Sequence, residues 1–202
     1  MTNVFNQLAK TYDTPQRQAL AETILNEIRP DFAEASDKTL LDYGGGTGLL
    51  SLPLASLVKQ VELLDLSEEM SHLAQEKATI AGLENFTSFQ GDLLGEQPAL
   101  TPPDIVLMSL VLLHIPDTKE ILAALYQQLT PGGQLILVDF DTNPLVSHPK
   151  VHSGFDQGQL QELLQAIGFT HIKSHTFHTA DHLFMNQPAS MFHLRATKPA
   201  MV

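Results

Sequence analysis

Apolar residues recur along this chain in two rhythms, one with the period of a helix and one with that of a strand, and the two alternate. Val4, Phe5, Leu8 and Tyr12 fall at helical spacing. Thr14-Pro15 then offers a side-chain cap followed by proline at a first helical position, where its missing N–H costs nothing. Leu20, Ile24 and Ile28 form the apolar stripe of a helix that runs to Arg29 and ends at Pro30. From Lys38 onward, apolar runs at residues 39–43, 61–66, 86–90, 105–109 and 134–140 predict strands. Amphipathic segments separate them. Ser67 opens one that reaches Ala81 and stops at Gly82, and Asp117 with Glu120 has capping-box spacing ahead of Ile121, Leu122, Leu125 and Leu129. After Phe140 comes a Pro/His/Ser loop over residues 143–154. Asp156 and Gln159 then open a helix bearing Leu160, Leu163, Leu164 and Ile167, and Gly168 closes it. Two further strands are predicted near 169–177 and 190–197.

Strands alternating with helices are the pattern of βαβ units, and so of a mostly parallel sheet with helices on both faces. One residue breaks a local rule: Pro53 falls inside the helix expected after Gly48, which predicts a delayed start or a kink there.

Composition narrows the functional classes. Two hundred and two residues with 43% hydrophobic content suit a single α/β domain. A formal net charge of -12 opposes binding to nucleic acid or an anionic membrane, because both need Lys and Arg to neutralise phosphates, and only eleven are present, scattered. With no cysteine there is no thiolate catalysis, no disulfide and no thiolate metal site, which fits a reducing, cytoplasmic setting. The first ten residues lack the apolar core of a signal peptide, and no apolar run is long enough for a membrane span. His171, His175, His178 and His182 share the late strand region, but without a carboxylate at ligand spacing no metal is expected.

The chemistry is concentrated in Leu40-Leu41-Asp42-Tyr43-Gly44-Gly45-Gly46-Thr47-Gly48, an apolar strand that runs directly into glycines. Glycines at a strand-to-helix turn permit positive φ and let a ligand approach the main chain. A phosphate-binding loop needs Gly-Lys-Ser/Thr, whereas Leu49 and Leu50 follow Gly48. A dinucleotide fingerprint counted from Gly44 and Gly46 needs glycine at position 49, which is Leu49. The spacing is G-x-G-x-G.

That spacing, with Asp42 two residues ahead of Gly44, resembles the first motif of the class I S-adenosylmethionine-dependent methyltransferases. Four further segments continue the resemblance in order: Asp65 at the end of Val61-Glu62-Leu63-Leu64-Asp65, Gln90-Gly91-Asp92-Leu93, the stretch from Pro103 through Ser109 to His114-Ile115-Pro116-Asp117, and Leu129-Thr130-Pro131-Gly132-Gly133. The family likeness implies a Rossmann-like, doubly wound, seven-stranded fold. It would comprise an N-terminal helical lid over residues 1–30, a cofactor-binding core over 38–140 and an acceptor side over 141–202.

The same likeness implies S-adenosylmethionine as cofactor, with Asp42, Gly44, Gly45, Gly46, Thr47 and Gly48 at its amino-acid end. Asp65 and Leu66 fall to the ribose, Asp92 and Leu93 to the adenine, and Ser109 and the lid residue Tyr12 complete the contacts. A carboxylate only accepts, and a vicinal diol offers it two donors, so Asp65 suits its role chemically. Each acid also has a plainer reading: Asp42 satisfies N–H groups at the turn, Asp65 caps a helix, Asp92 is a loop residue.

Ligands of open α/β sheets sit outside the carboxyl ends of the strands, which puts Leu110, His114, Asp139 and Phe140 on the acceptor side. A resemblance to one subgroup of small-molecule methyltransferases adds His152 and Phe155 in His152-Ser153-Gly154-Phe155. His114 is the candidate general base, or else a bridge from strand to helix. The fourth strand runs into Ser109-Leu110-Val111-Leu112 and so lacks the Asn/Asp-Pro-Pro-aromatic sequence with which some relatives hold a planar amine. Direct methyl displacement onto a small-molecule acceptor is the implied activity. The alternatives are a nicotinamide-dependent oxidoreductase on the same broad fold and a non-catalytic S-adenosylmethionine-binding protein. The sequence does not set the oligomeric state.

Overall fold

A computed structural model describes Asn6 and residues 9–95 and 98–200 of the chain. Val4, Phe5 and Leu8, on which most of the helical lid was read, lie outside the described residues. Contacts divide the chain into two compact units, Met1–Ile105 and Val106–Val202.

In the first unit a 3-10 turn, Ala9–Thr11, precedes helix α1, Pro15–Ile28. Thr14 caps α1 by accepting from Arg17 N at 3.2 Å, and the helix buries Ala21, Ile24, Leu25 and Ile28. Strand β1, Thr39–Tyr43, is buried at all five positions, as expected of a parallel strand covered on both faces. β2, Gln60–Asp65, pairs parallel with it, and β3, Phe86–Gln90, pairs parallel with β2.

Two local departures from the expected pattern have clear causes. β2 begins and ends one residue earlier than predicted, because the Asp65 side chain folds back to accept from Ser67 N and so turns the chain. Leu66 is thereby left 47% exposed. After Gly48 the chain forms only the short helix α2, Ser51–Leu54, continued by a 3-10 turn, Ala55–Leu57. Pro53 sits in the first turn of α2, where an N–H has no helical acceptor, so the delayed start avoids the cost of proline altogether. Helix α3, Glu68–Ile80, is capped by Ser67, which accepts from Met70 N at 3.2 Å, and packs on β2 and β3.

The second unit carries β4, Ile105–Ser109, from Val106 onward, then helix α4, Thr118–Gln128. Asp117 caps α4 through Glu120 N at 2.9 Å. At its other end the Lys198 ammonium donates to the carbonyls of Tyr126 and Leu129 at 2.8 and 2.7 Å, where a cation suits the helix dipole. β5, Gln134–Phe140, is followed by helix α5, Gln157–Ile167, capped by Asp156 and closed by Gly168 at φ 123°.

The chain ends in a long hairpin of β6, Thr170–Phe184, and β7, Gln187–Thr197. Both strands are longer than predicted. Polar residues and register shifts between Thr176 and His178 and between Ala180 and Phe184 hide the alternation that would have marked them. Strand order is β3-β2-β1-β4-β5-β7-β6. Because β7 runs antiparallel to both β5 and β6, the seven-stranded sheet is mixed, which qualifies the mostly parallel expectation. Among the described residues no helix is long and apolar enough to cross a membrane.

Candidate active site

In the first unit β1 delivers the chain into a bend with Gly44, Gly46 and Gly48 at φ 71°, 57° and 79°. Gly44 N donates to Leu64 O at 2.7 Å, tying the bend to β2. Gly46 N donates to Asp65 Oδ2 at 2.9 Å, and Ser67 N to Asp65 Oδ1 at 2.8 Å. Each Asp65 oxygen therefore holds one backbone donor and retains a second lone pair. Burial pushes the Asp65 carboxyl above its ordinary range, while those two N–H groups pull it down.

Asp42 is shut away from solvent beneath this bend, and its Oδ2 has no hydrogen-bond partner within 3.5 Å among the described residues. Burial pushes its carboxyl up to about 7, with Ser51 pulling the other way and the charge of Asp65 adding to the rise. A Cβ on Gly45 would come within 2.6 Å of Asp42 Cγ and 2.7 Å of Leu63 Cδ1. The glycine at this position is thus dictated by the acid below it, a reason the sequence alone does not supply.

Residues near the N-terminus are fastened to the same bend. Thr47, 1% exposed, donates through Oγ1 to Asp13 at 2.5 Å. Asp13 also pairs with Lys77, whose ammonium donates to Thr47 O at 2.9 Å. Asn6 accepts from Ser67 Oγ at 2.5 Å. The Tyr12 ring lies 4.0 Å from where a Cβ on Gly46 would stand. Arg17 stacks its guanidinium 4.1 Å from the centre of that ring and donates to Tyr12 O. Burial raises the Tyr12 phenol.

At the end of β3, Asp92 Oδ1 accepts from Tyr43 Oη at 2.7 Å and from Leu94 N at 3.1 Å. Leu93 is buried in the core, in contrast to Leu66. Sequence reasoning missed Asp13, Arg17, Tyr43 and Lys77. Asp13 and Arg17 flank the predicted lid contact, whereas Lys77 reads as an ordinary last-turn charge and Tyr43 as a strand end.

In the second unit Ser109 is half-buried at the end of β4, and Leu110 follows at φ 55°, a left-handed conformation that costs a branched side chain about 1–2 kcal/mol. Its N–H donates to Val138 O at 2.8 Å. The chain then turns through a 3-10 segment, Leu112–His114. Asp139, 0% exposed, holds this segment by accepting from Leu113 N at 3.2 Å while also accepting from Phe140 N at 2.8 Å. Burial pushes the Asp139 carboxyl up to about 7 against the pull of these N–H groups.

Half-buried His114 has its imidazolium disfavoured, first by burial and then by His148. His152 is bound to the same turn: its N–H donates to Leu113 O at 2.9 Å, and its Nε2 lies 2.8 Å from Ile115 O. A carbonyl only accepts, so Nε2 carries the proton. Phe155 N donates to Phe140 O at 2.9 Å, and Gly154 at φ 87° allows this approach because a Cβ there would run into the Asp141 carbonyl. The Phe140 ring is buried and stacked on Phe184, centroids 4.2 Å apart. Of the residues expected on the acceptor side, Asp139 and Phe140 end β5, and His114, His152 and Phe155 lie in the segments hydrogen-bonded around that end.

A bare bend after β1 with a carboxylate at the end of the adjacent strand is the local geometry of a Rossmann-like domain. Comparison with known proteins makes the class specific. The family model described as "Methyltransferase domain" matches residues 14–184. The chain is 30% identical over 154 residues to the tRNA 5-carboxymethoxyuridine methyltransferase of Escherichia coli strain K12, covering 73% of this chain and 58% of that protein. It is 33% identical over 138 residues to the ubiquinone biosynthesis O-methyltransferase of Xanthomonas euvesicatoria pv. vesicatoria, covering 65% and 56%. It spans a little over half the length of these curated relatives. The solved structure of phosphoethanolamine N-methyltransferase 2 of Haemonchus contortus, in complex with phosphomonomethylethanolamine and S-adenosylhomocysteine, shares the fold with a TM-score of 0.73 at 17% identity, covering 87% of this chain and 52% of that one. The chain belongs to the S-adenosylmethionine-dependent methyltransferase family.

Proposed function

We propose that this chain binds S-adenosylmethionine and transfers its methyl group to a small-molecule acceptor. The observation that carries the reading is the glycine bend whose Gly46 N–H is bonded to Asp65, with one lone pair left on each Asp65 oxygen for a sugar diol. Asp42 and residues 44–48 hold the amino-acid end, Asp65 and Leu66 the ribose, and Asp92 and Leu93 the adenine, with Tyr12 against the bend. Support for the fit comes from the exposed apolar face of Leu66 beside Asp65 and from the unpartnered Asp42 oxygen beneath the bend. When bound, the cofactor supplies an electrophilic methyl group already activated on a sulfonium.

The residues of this chain then need only bind, orient and exclude water, which is where alignment can contribute on the order of 7–11 kcal/mol. His114, Phe140, His152 and Phe155 contact the acceptor. His114 is kept neutral by burial and so is ready to take a proton at neutral pH. His152, its Nε2–H committed to Ile115 O, fixes the turn that bears His114. One named relative is a tRNA methyltransferase and another an O-methyltransferase of ubiquinone biosynthesis. For this chain the net charge of -12 favours an acceptor other than nucleic acid. A cysteine-free composition suits the cytoplasm.

Thermal unfolding in the presence of S-adenosylmethionine, S-adenosylhomocysteine or NAD tests the reading. A ligand at 100 times its Kd stabilises the native state by about 2.7 kcal/mol. Both sulfur nucleosides are expected to raise the midpoint and NAD to leave it unchanged; a shift with NAD alone would overturn the proposal. Asp65→Ala should weaken S-adenosylhomocysteine by about 1.5–3 kcal/mol in calorimetry, the worth of a charged hydrogen-bond partner, while the fold persists. Tight binding with no methylated product across amines, phenols, thiols and carboxylates would favour a non-catalytic binder instead.

A further inference from the structure

Asp92 is held more firmly than a loop aspartate requires. The bond from Leu94 N to Oδ1 is the ordinary one that an aspartate makes to the backbone two residues on. The bond from Tyr43 Oη to the same oxygen comes from the far side of β2, since β2 lies between β1 and β3 in the sheet. The Tyr43 ring is buried, and burial together with the charge of Asp92 pushes its phenol far above the ordinary range, so it remains a donor at any working pH. Both described donors go to Oδ1, which fixes the carboxylate plane and leaves Oδ2 to accept from a ligand.

We infer that Tyr43 is a positioning residue that locks Asp92 so as to select a 6-aminopurine over a 6-oxopurine. This rests on the reading of Asp92 as the acceptor for the base. A 6-amino group donates to a fixed Oδ2, whereas a 6-oxo group meets it lone pair against lone pair. A carboxylate free to turn can swing away from the oxo group and must give up rotational freedom to receive the amino group. Losing the phenol therefore narrows the preference from both sides.

The test is calorimetric, on the whole chain, with S-adenosylhomocysteine and its 6-oxo analogue S-inosylhomocysteine. The isosteric Tyr43→Phe variant removes one hydroxyl from the end of β1 and keeps the ring that packs there. Its preference for the adenosyl compound is expected to fall at least fivefold relative to the unsubstituted chain. An unchanged ratio, with both ligands weakened alike, would mean that Tyr43 only supports the fold, and would overturn the inference. Asp92→Ala separates this from the reading beneath it. If that variant loses the preference while Tyr43→Phe keeps it, the positioning role alone fails. If Asp92→Ala keeps the full preference, Asp92 does not receive the base and the assignment of the adenine site fails with it.

Discussion

Asp139 shows what a single side chain can do to this protein's response to pH. Its carboxyl is fully buried and pushed up to about 7, chiefly by desolvation, so the folded chain keeps a proton that the unfolded chain releases near pH 4. The sign follows: its contribution to stability is intact below about pH 4 and is lost as pH rises through about 7. A shift of this size is worth several kcal/mol at most. Self-repulsion from the net charge of -12 acts in the same direction, so the variant and not the slope alone is informative. Melting temperatures measured from pH 4 to 8.5 should fall toward the alkaline end, and Asp139→Asn should flatten that decline. An identical slope in the variant would remove Asp139 as its source. Asp42, pushed up to about 7 in the first unit, should contribute a decline of the same sign. Asp42 and Asp65 could be singled out from their neighbours in sequence. The bonds from Lys77 to Asp13 and from Tyr43 to Asp92 could not, because their partners lie 64 and 49 positions apart.

At the scale of elements, the helices were the most legible. Thr14, Ser67, Asp117 and Asp156 each cap the helix they were expected to open, because a cap depends on residues within three positions of it. The β6–β7 hairpin was less so. Its two-residue loop places Met185 and Asn186 at φ 49° and 62°, the twist that suits a hairpin, yet Met185 supplies none of the turn chemistry that usually announces one. A methionine held left-handed costs about 1–2 kcal/mol, and this one is 48% exposed, so little packing is lost on replacing it. Met185→Gly should therefore stabilise the chain by roughly 1 kcal/mol, raising the melting temperature by about 2–4 °C. A lower melting temperature would show that the exposed thioether contributes more than the strain costs.

At the scale of the whole molecule, net charge bears on the class of acceptor. A tRNA methyltransferase is among the proteins it matches, yet a chain with 23 acidic and 11 basic residues has few cations to release counterions from a polyanion. Gel-shift titration with bulk tRNA should show no complex tighter than about 10 µM, in the middle of the usual non-specific range, and no steep dependence on salt. A tight, salt-sensitive complex would instead point to a nucleic-acid acceptor.

Hydrophobic period, caps, the glycine bend and the acid at the end of β2 were determined by sequence alone, since each arises from residues that are neighbours along the chain. Tertiary structure decided the reversed direction of β7, the carboxyl beneath Gly45, the lone pairs left on Asp65 and the phenol that reaches Asp92. Burial and hydrogen-bond geometry are properties of what the fold brings together from distant positions. No local pattern encodes them.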